Sequence, residues 1–426
     1  MRILNNVSKG EWKEVFSRPT DNNDIIKERV ENILEQVKNE GDKAIFSLSQ
    51  AIDKNNLTAE NVLVSDSELK AAANNLSDEF KAAICLAKEN IEKFHAAQLR
   101  REVYVETMNG VEVRQRRVPI SKVGLYIPAG SAPLFSTVLM CAVPAKIAGC
   151  SEIIMCSPAN KEGKIADEIL YVAQLCGVSK IYKLGGAIAV GAMAYGSETI
   201  DSVHKIFGPG NRYVTYAKQI VSCDTVAIDM PAGPSEVMVL ADESAEAAFV
   251  ASDILSQLEH GADSQAIAIV TSQEIADNVA DEVLKQTKTL SRNEIIELSL
   301  KNCTIIVEND RTKILEMVDF YAPEHLIVSL NEADEFSYSV TNAGSIFIGN
   351  YSPESVGDYA SGTNHTLPTS GWAKSFSGVN TDSFSKYITY QKLSKEGLNA
   401  ISDCVVTMAQ HEGLTAHANA VIVRKG

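Results

Sequence analysis

The chain has 426 residues, 45% hydrophobic and 22% charged, which is ample for a sizeable core and longer than one domain usually runs. Its 39 basic residues against 55 acidic give a formal charge of −16, which repels phosphate backbones and argues against a nucleic-acid partner. No apolar run approaches the roughly 20 residues of a membrane span. The opening MRILNNVSKGEWKEVF lacks the apolar core of a signal peptide, so a cytoplasmic protein is expected.

Residues 1–121 read as a mostly helical region, expected to pack on the second of two α/β units. ERVENILEQVKNEGDKAIFSLSQAID and LKAAANNLSDEFKAAICLAKENIEKFHAAQ carry helical periodicity, and GVEVRQRRVPI suggests a strand or hairpin. From residue 122 to 236, short β-type runs such as VGLYIP, EIIMCSP and KIYKLG alternate with helical segments. That alternation predicts a parallel sheet covered by helices. Residues 237–380 repeat the pattern with EVMVLAD, QAIAIVTS, TIIVEN, HLIVSL and SIFIGN. The fold class expected is therefore α/β, with two tandem, incomplete Rossmann-like parallel-sheet domains. Residues 351–380, rich in Gly, Ser, Thr and Asn, suggest a long functional loop. Residues 381–426 suggest a small helical appendage closed by a strand, AVIVR.

Eight cysteines form no CxxC pair and mostly sit in apolar surroundings, as expected of small core residues in a reducing compartment. Five of the seven histidines follow residue 250, each near Asp, Glu, Gln or Asn. In QLEHG, Gln257 and His260 lie three apart, so both can face one side and ligate a metal. The same residues also suit a helix C-cap closed by Gly261. In APEHLIV, Glu324 and His325 open an apolar strand, a strand mouth where ligands usually bind or merely a solvated edge. Glu324 would serve as a base on water and His325 as a proton acceptor. Asp358, Asn364 and His365 share a loop whose residues equally suit turns. HEGLTAHA adds His411, Glu412 and His417, although the two histidines are not on one helical face. Nitrogen and oxygen donors without thiolate suit zinc, or manganese if oxygen dominates. FGPGNR, between a strand and a helix, makes an anion site plausible, but no GxGxxG fingerprint appears. The residues alone stop at a metalloenzyme, either oxidoreductase or hydrolase. A hydrolase would be insensitive to NAD, and a non-catalytic binder would form no NADH.

Taken in order, VGLYIPAGSAPLFSTVLMCAVPAKIAGC, KIFGPGNRYVTYAK, AIDMPAGPSEVMVLAD, SDILSQLEHGADSQ, YAPEHL, SPESVGDYASGTNH and HEGLTAHA resemble the histidinol dehydrogenase family. The resemblance implies oxidation of L-histidinol through L-histidinal to L-histidine with two NAD+ and water, the last step of histidine biosynthesis. It implies a zinc-dependent, NAD-linked alcohol and aldehyde dehydrogenase with one Zn2+ per subunit. It also implies a homodimer with shared sites, the appendage 381–426 contributing to them. By motif, Gln257, His260, Asp358 and His417 are the zinc ligands, and Glu324 and His325 the acid–base pair. Ser235, His365 and Glu412 contact substrate, together with the ligands and His325, whereas His411 is incidental. Tyr126 and Asn211 contact NAD. The family's usual Gln after GGA is Ile188 here, which cannot hydrogen-bond and puts that cofactor contact in doubt.

Overall fold

The computed structural model describes residues 1–19, 23–129 and 132–425. Fourteen strands fall into three sheets among the described residues. β1 (Arg2–Asn5) opens the chain, and β2 (Val103–Met108) and β3 (Val111–Pro119) form the hairpin expected of GVEVRQRRVPI. The first α/β unit carries β4 (Lys122–Tyr126), β5 (Glu152–Cys156), β6 (Lys180–Tyr182), β7 (Lys205–Phe207) and β8 (Ala227–Ile228). They form a parallel sheet in the order β6-β5-β4-β7-β8. The second unit carries β9 (Glu236–Ala241), β10 (Gln265–Val270), β11 (Cys303–Val307), β12 (His325–Ser329) and β13 (Ser345–Ile348). Its parallel sheet runs β1-β11-β10-β9-β12-β13. Every residue of β9 and β10 is buried, as helices on both faces require.

The region 1–121 divides between the two units. β1 extends the second sheet, pairing Arg2 with Thr304, and Trp12, Val15 and Phe16 join a core containing Met238, Leu240 and Tyr321. The longer helices pack on the first unit instead, contrary to the expectation for this region. Helix Asn23–Glu40 lies on helices Gly186–Tyr195 and Arg212–Ser222, with Leu34 and Val37 in one core with Ile188 and Val214. Helix Asp78–Ala97 lies on Ser136–Ala148, a helix so apolar all round that it needs cover on every side. Amphipathic periodicity marks a face for burial but does not name the surface that buries it.

At the other end, β14 (Ser385–Leu393) pairs antiparallel with β3, and helices Lys395–His411 and Thr415–Ile422 pack on each other. The strand expected over AVIVR is absent, because Ala420, Val421 and Ile422 complete the last helix. Alternating alanines at 416, 418 and 420 favour that helix, and a short apolar run is ambiguous by periodicity. All eight cysteines are free, and five of them are buried. No described helix is long and apolar enough to cross a membrane.

Candidate active site

One cleft of about 1570 Å³ opens between the two α/β units and is lined by Tyr126, Asn211, Gln257, Glu324, His325 and Asp358. On the first unit it follows the usual rule for α/β sheets. Tyr126 ends β4, and the Gly208–Asn211 loop follows β7, so ligands meet carboxyl ends of strands. On the second unit the polarity is reversed. Glu236 begins β9, Gln265 begins β10 and His325 begins β12, so the cleft faces the amino ends of those strands. The strand mouth expected at Glu324-His325 is therefore the opposite end from the one that rule names.

Local backbone fixes the pair. Helix Arg311–Tyr321 ends at Ala322 in a left-handed conformation (φ 54°), and Pro323 then directs the chain into β12. Such a backbone is costly for a non-glycine residue and persists only where surrounding structure enforces it. Glu324 and His325 are both buried. Glu324 Oε2 accepts the Glu236 N–H at 3.0 Å, and burial pushes its carboxyl up to about 8. His325 Nδ1 lies 3.4 Å from the Glu236 carbonyl oxygen and 3.7 Å from both Glu324 Oε2 and Glu354 Oε1. Its Nε2 is 3.6 Å from Asp358 Oδ1 and has no hydrogen-bond partner among the described residues. Burial works against a charged imidazole, but Glu354, Glu324 and Asp358 outweigh it and hold the proton affinity of His325 well above the ordinary range.

A metal-binding constellation adjoins this pair. Ligand atoms of His260, Glu354 and Asp358 all lie within 4.8 Å of one another. Gln257 is in the last turn of helix Ala247–Leu258, and His260 follows the helix end, its N–H donating to the Gln257 carbonyl at 3.3 Å. The His260 ring is open to the cleft yet enclosed by its walls, and this burial lowers its proton affinity. Burial opposes ionisation of Asp358, but the His325 imidazole overcomes it and keeps the carboxyl below its ordinary range. Glu354 is pushed up by burial, and the Gln257 amide, turned so that its nitrogen faces Glu354, donates to its two oxygens at 2.6 and 3.0 Å. Glu354 and Asp358 sit four apart on a short helix, Glu354–Tyr359, inside the stretch expected to be a loop. Both therefore project from one face. Glu354 was not among the residues the motifs singled out. Its sequence signal was Pro353 at the helix start followed by an acid in the first turn.

The remaining expected residues distribute as follows. His365 lines the cleft with Nδ1 2.9 Å from the Asp358 carbonyl oxygen and Nε2 3.3 Å from Thr137 Oγ1 of the first unit. Donation from Nδ1 to that carbonyl leaves Nε2 as acceptor for the threonine hydroxyl. Ser235 lines the cleft beside Glu236. The Tyr126 hydroxyl accepts the Gly186 N–H at 3.2 Å, and Asn211 Oδ1 caps the helix Arg212–Ser222 by accepting the Val214 N–H at 3.2 Å. Ile188 is only 2% exposed and packs in the core of the first unit at the cleft wall. Glu412 and His417 are exposed on the C-terminal helices and do not line the cleft, so a single chain does not bring them to the other site residues.

Comparison with known proteins gives the family of the chain. The family model described as histidinol dehydrogenase matches residues 16–425. Histidinol dehydrogenase of Bacteroides thetaiotaomicron is 53% identical, covering 100% of this chain and 99% of its own. That of Aliivibrio fischeri is 49% identical, covering 99% and 95%. A crystal structure of histidinol dehydrogenase from Elizabethkingia anophelis superposes with a TM-score of 0.96 at 47% identity, covering 100% and 98%. The chain belongs to the histidinol dehydrogenase family. It is an oxidoreductase of mixed α/β fold, and the family's role lies in histidine biosynthesis.

Proposed function

We propose that this chain oxidises L-histidinol through L-histidinal to L-histidine in the cytoplasm, consuming two NAD+ and one water. The observation that carries the reading is the joining of two features in one cleft. The buried Glu324–His325 pair lies against a cluster of nitrogen and oxygen donors.

Zinc fits those donors. His260 offers a neutral imidazole, Asp358 an ionised carboxylate, and the unpartnered His325 Nε2 faces the same space. The Gln257 amide has two orientations, and the one that turns its oxygen toward Glu354 would offer that oxygen as a ligand. Gln257, His260 and Asp358 would hold one Zn2+ per subunit, with His417 from a second copy of the chain as fourth ligand. The ion would supply a template for the imidazole and amine nitrogens of the substrate. Tyr126 and Asn211 would bound the NAD site, and NAD would supply the hydride acceptor for both oxidations. The Asn211 amide oxygen is already committed to its helix cap, leaving the amide nitrogen or backbone for a cofactor. Ile188 offers only van der Waals contact there.

The chain's own residues account for the proton movements. With Nδ1–H directed at the Glu236 carbonyl, His325 would accept the alcohol proton at Nε2 when that nitrogen is unprotonated, and the nearby carboxylates would stabilise the imidazolium so formed. Glu324, once ionised, takes a proton from the water that adds to the aldehyde. Keeping that aldehyde in the site would exclude side reactions. Ser235, His365 and Glu412 would contact the substrate.

A homodimer accounts for the C-terminal arm. β2 and β14 are largely exposed, and Val103, Tyr104, Val105, Tyr387, Ile388 and Tyr390 lie open on them. These exposed aromatic and aliphatic side chains flank the arginines of β3, and such a surface, mixing aromatic residues and arginine, suits association with a second copy. A second copy covering it would carry Glu412 and His417 with it. The whole reading is tested by following NADH with L-histidinol, with and without a chelator. Two NADH per histidinol, lost on chelation and restored by zinc, is the expected result. NADH formation unaffected by exhaustive chelation would remove the metal from the proposal.

A further inference from the structure

Glu236 belongs to neither the acid–base pair nor the metal cluster, yet its peptide groups hold both catalytic side chains. Its N–H donates to Glu324 Oε2 at 3.0 Å, and its carbonyl faces His325 Nδ1 at 3.4 Å. Both groups point the same way because Glu236 starts β9, which pairs with β12 through Val237 and His325. What fixes Glu236 is its side chain, only 2% exposed. Arg18 grips it with two parallel bonds, Nε to Oε2 at 2.5 Å and Nη2 to Oε1 at 2.8 Å. The Ser370 N–H adds a third bond at 3.1 Å.

Arg18 is itself secured. Its Nη2 donates to the Tyr321 carbonyl at 2.9 Å, and its guanidinium lies 4.2 Å from the centre of the Tyr321 ring. The preceding carbonyl, Ser17 O, accepts from Gln265 Nε2 at 2.9 Å, and Gln265 Oε1 accepts the Tyr321 hydroxyl proton at 2.9 Å. A planar fork on a buried carboxylate fixes orientation as well as charge, which an ammonium cannot do.

We propose that Arg18 is a positioning residue of the histidinol dehydrogenase reaction. Through the Glu236 carboxylate it sets the one peptide segment that orients Glu324 and holds His325 in its reactive tautomer. This rests on the functional reading above. Removing the guanidinium leaves Glu236 a buried carboxylate without its counter-charge, and the segment relaxes. A shift of about 1 Å there is expected to lower turnover up to about 100-fold without removing any substrate contact.

The test measures NADH formation by the intact enzyme and by Arg18→Ala, from histidinol and separately from histidinal. An inactive wild-type chain would overturn the functional reading, and this inference with it. An active parent beside an unaffected Arg18→Ala overturns this inference alone. The expected result is a roughly 10–100-fold fall in kcat with both substrates and KM within about twofold. Millimolar guanidinium should recover about tenfold of that loss, because Arg18 is 24% exposed and its seat opens to the cleft. A raised KM at unchanged kcat, or a loss that guanidinium leaves untouched, overturns the proposal. If Arg18→Ala cannot be recovered folded, Arg18→Lys decides. Lowered kcat at parental KM and thermal midpoint supports the role, and parental kcat refutes it.

Discussion

Glu324 and His325 are neighbours in sequence and both hold protons more tightly than usual, Glu324 because burial penalises its carboxylate and His325, against its own burial, because Glu354, Glu324 and Asp358 lie beside it. Burial leaves Glu324 protonated until about pH 8, so it becomes a base only above that value. Aldehyde oxidation should therefore rise with pH through about 8, and this limb should vanish in Glu324→Gln. The same variant should lose much more aldehyde than alcohol oxidation, which separate assays with histidinal and histidinol will resolve; equal losses would remove the water-activating role. Asp358→Ala should lower zinc occupancy, read by elemental analysis of the purified protein. Asp253 offers a test of stability. It is buried on the helix that carries Gln257, and burial pushes its carboxyl up to about 7. A carboxyl raised on folding contributes its full stability below its unfolded value of roughly 4, and that contribution is lost as pH rises through about 7. Asp253→Asn should thus raise stability at pH 8 by on the order of 1–3 kcal/mol, seen as a higher thermal midpoint, and do little at pH 4.

At the scale of elements, the helix Glu354–Tyr359 decides where two carboxylates sit. Gly357 lets it approach β13, since a Cβ there would lie 2.5 Å from Phe347 Cε1. Gly357→Ala should displace the helix, weaken zinc binding and cost about 1–3 kcal/mol, measured by metal titration and thermal unfolding. This helix was hidden in the sequence because six residues bounded by Ser, Pro and Gly read as turn chemistry, and its cohesion comes from tertiary contact. By contrast, β9, β10 and β12 were legible, since continuous apolar runs between turn signals have few other interpretations. Gln257, His260, Glu324, His325 and His365 were found by motif, and the cleft contains them all. Arg18 was not legible, because nothing local links it to Glu236, 218 residues away.

At the scale of the whole molecule, the exposed positions of Glu412 and His417 give shared sites a direct test. His417→Ala and Glu324→Gln should each fail to oxidise histidinal alone. Mixed and reassembled, they should recover about a quarter of parental turnover, because half the dimers form and each contains one intact site. Recovery no greater than the sum of the two variants alone would mean that each chain completes its own site. The tandem architecture was readable from alternating strands and helices, whereas the partition of residues 1–121 between the units was not. Four residues, Arg2–Asn5, become a strand only because β11 offers an edge.

That edge has a consequence for how the protein is made. β1 pairs with residues 304–307, so it must wait until those residues have been synthesised. Meanwhile the helices that follow it can already assemble with the first unit. The N-terminal segment is thus a late clasp, and Arg18, which travels with it, reaches Glu236 only when that clasp closes. Extensions fused to Met1 should therefore slow the gain of activity more than the gain of helical signal during refolding.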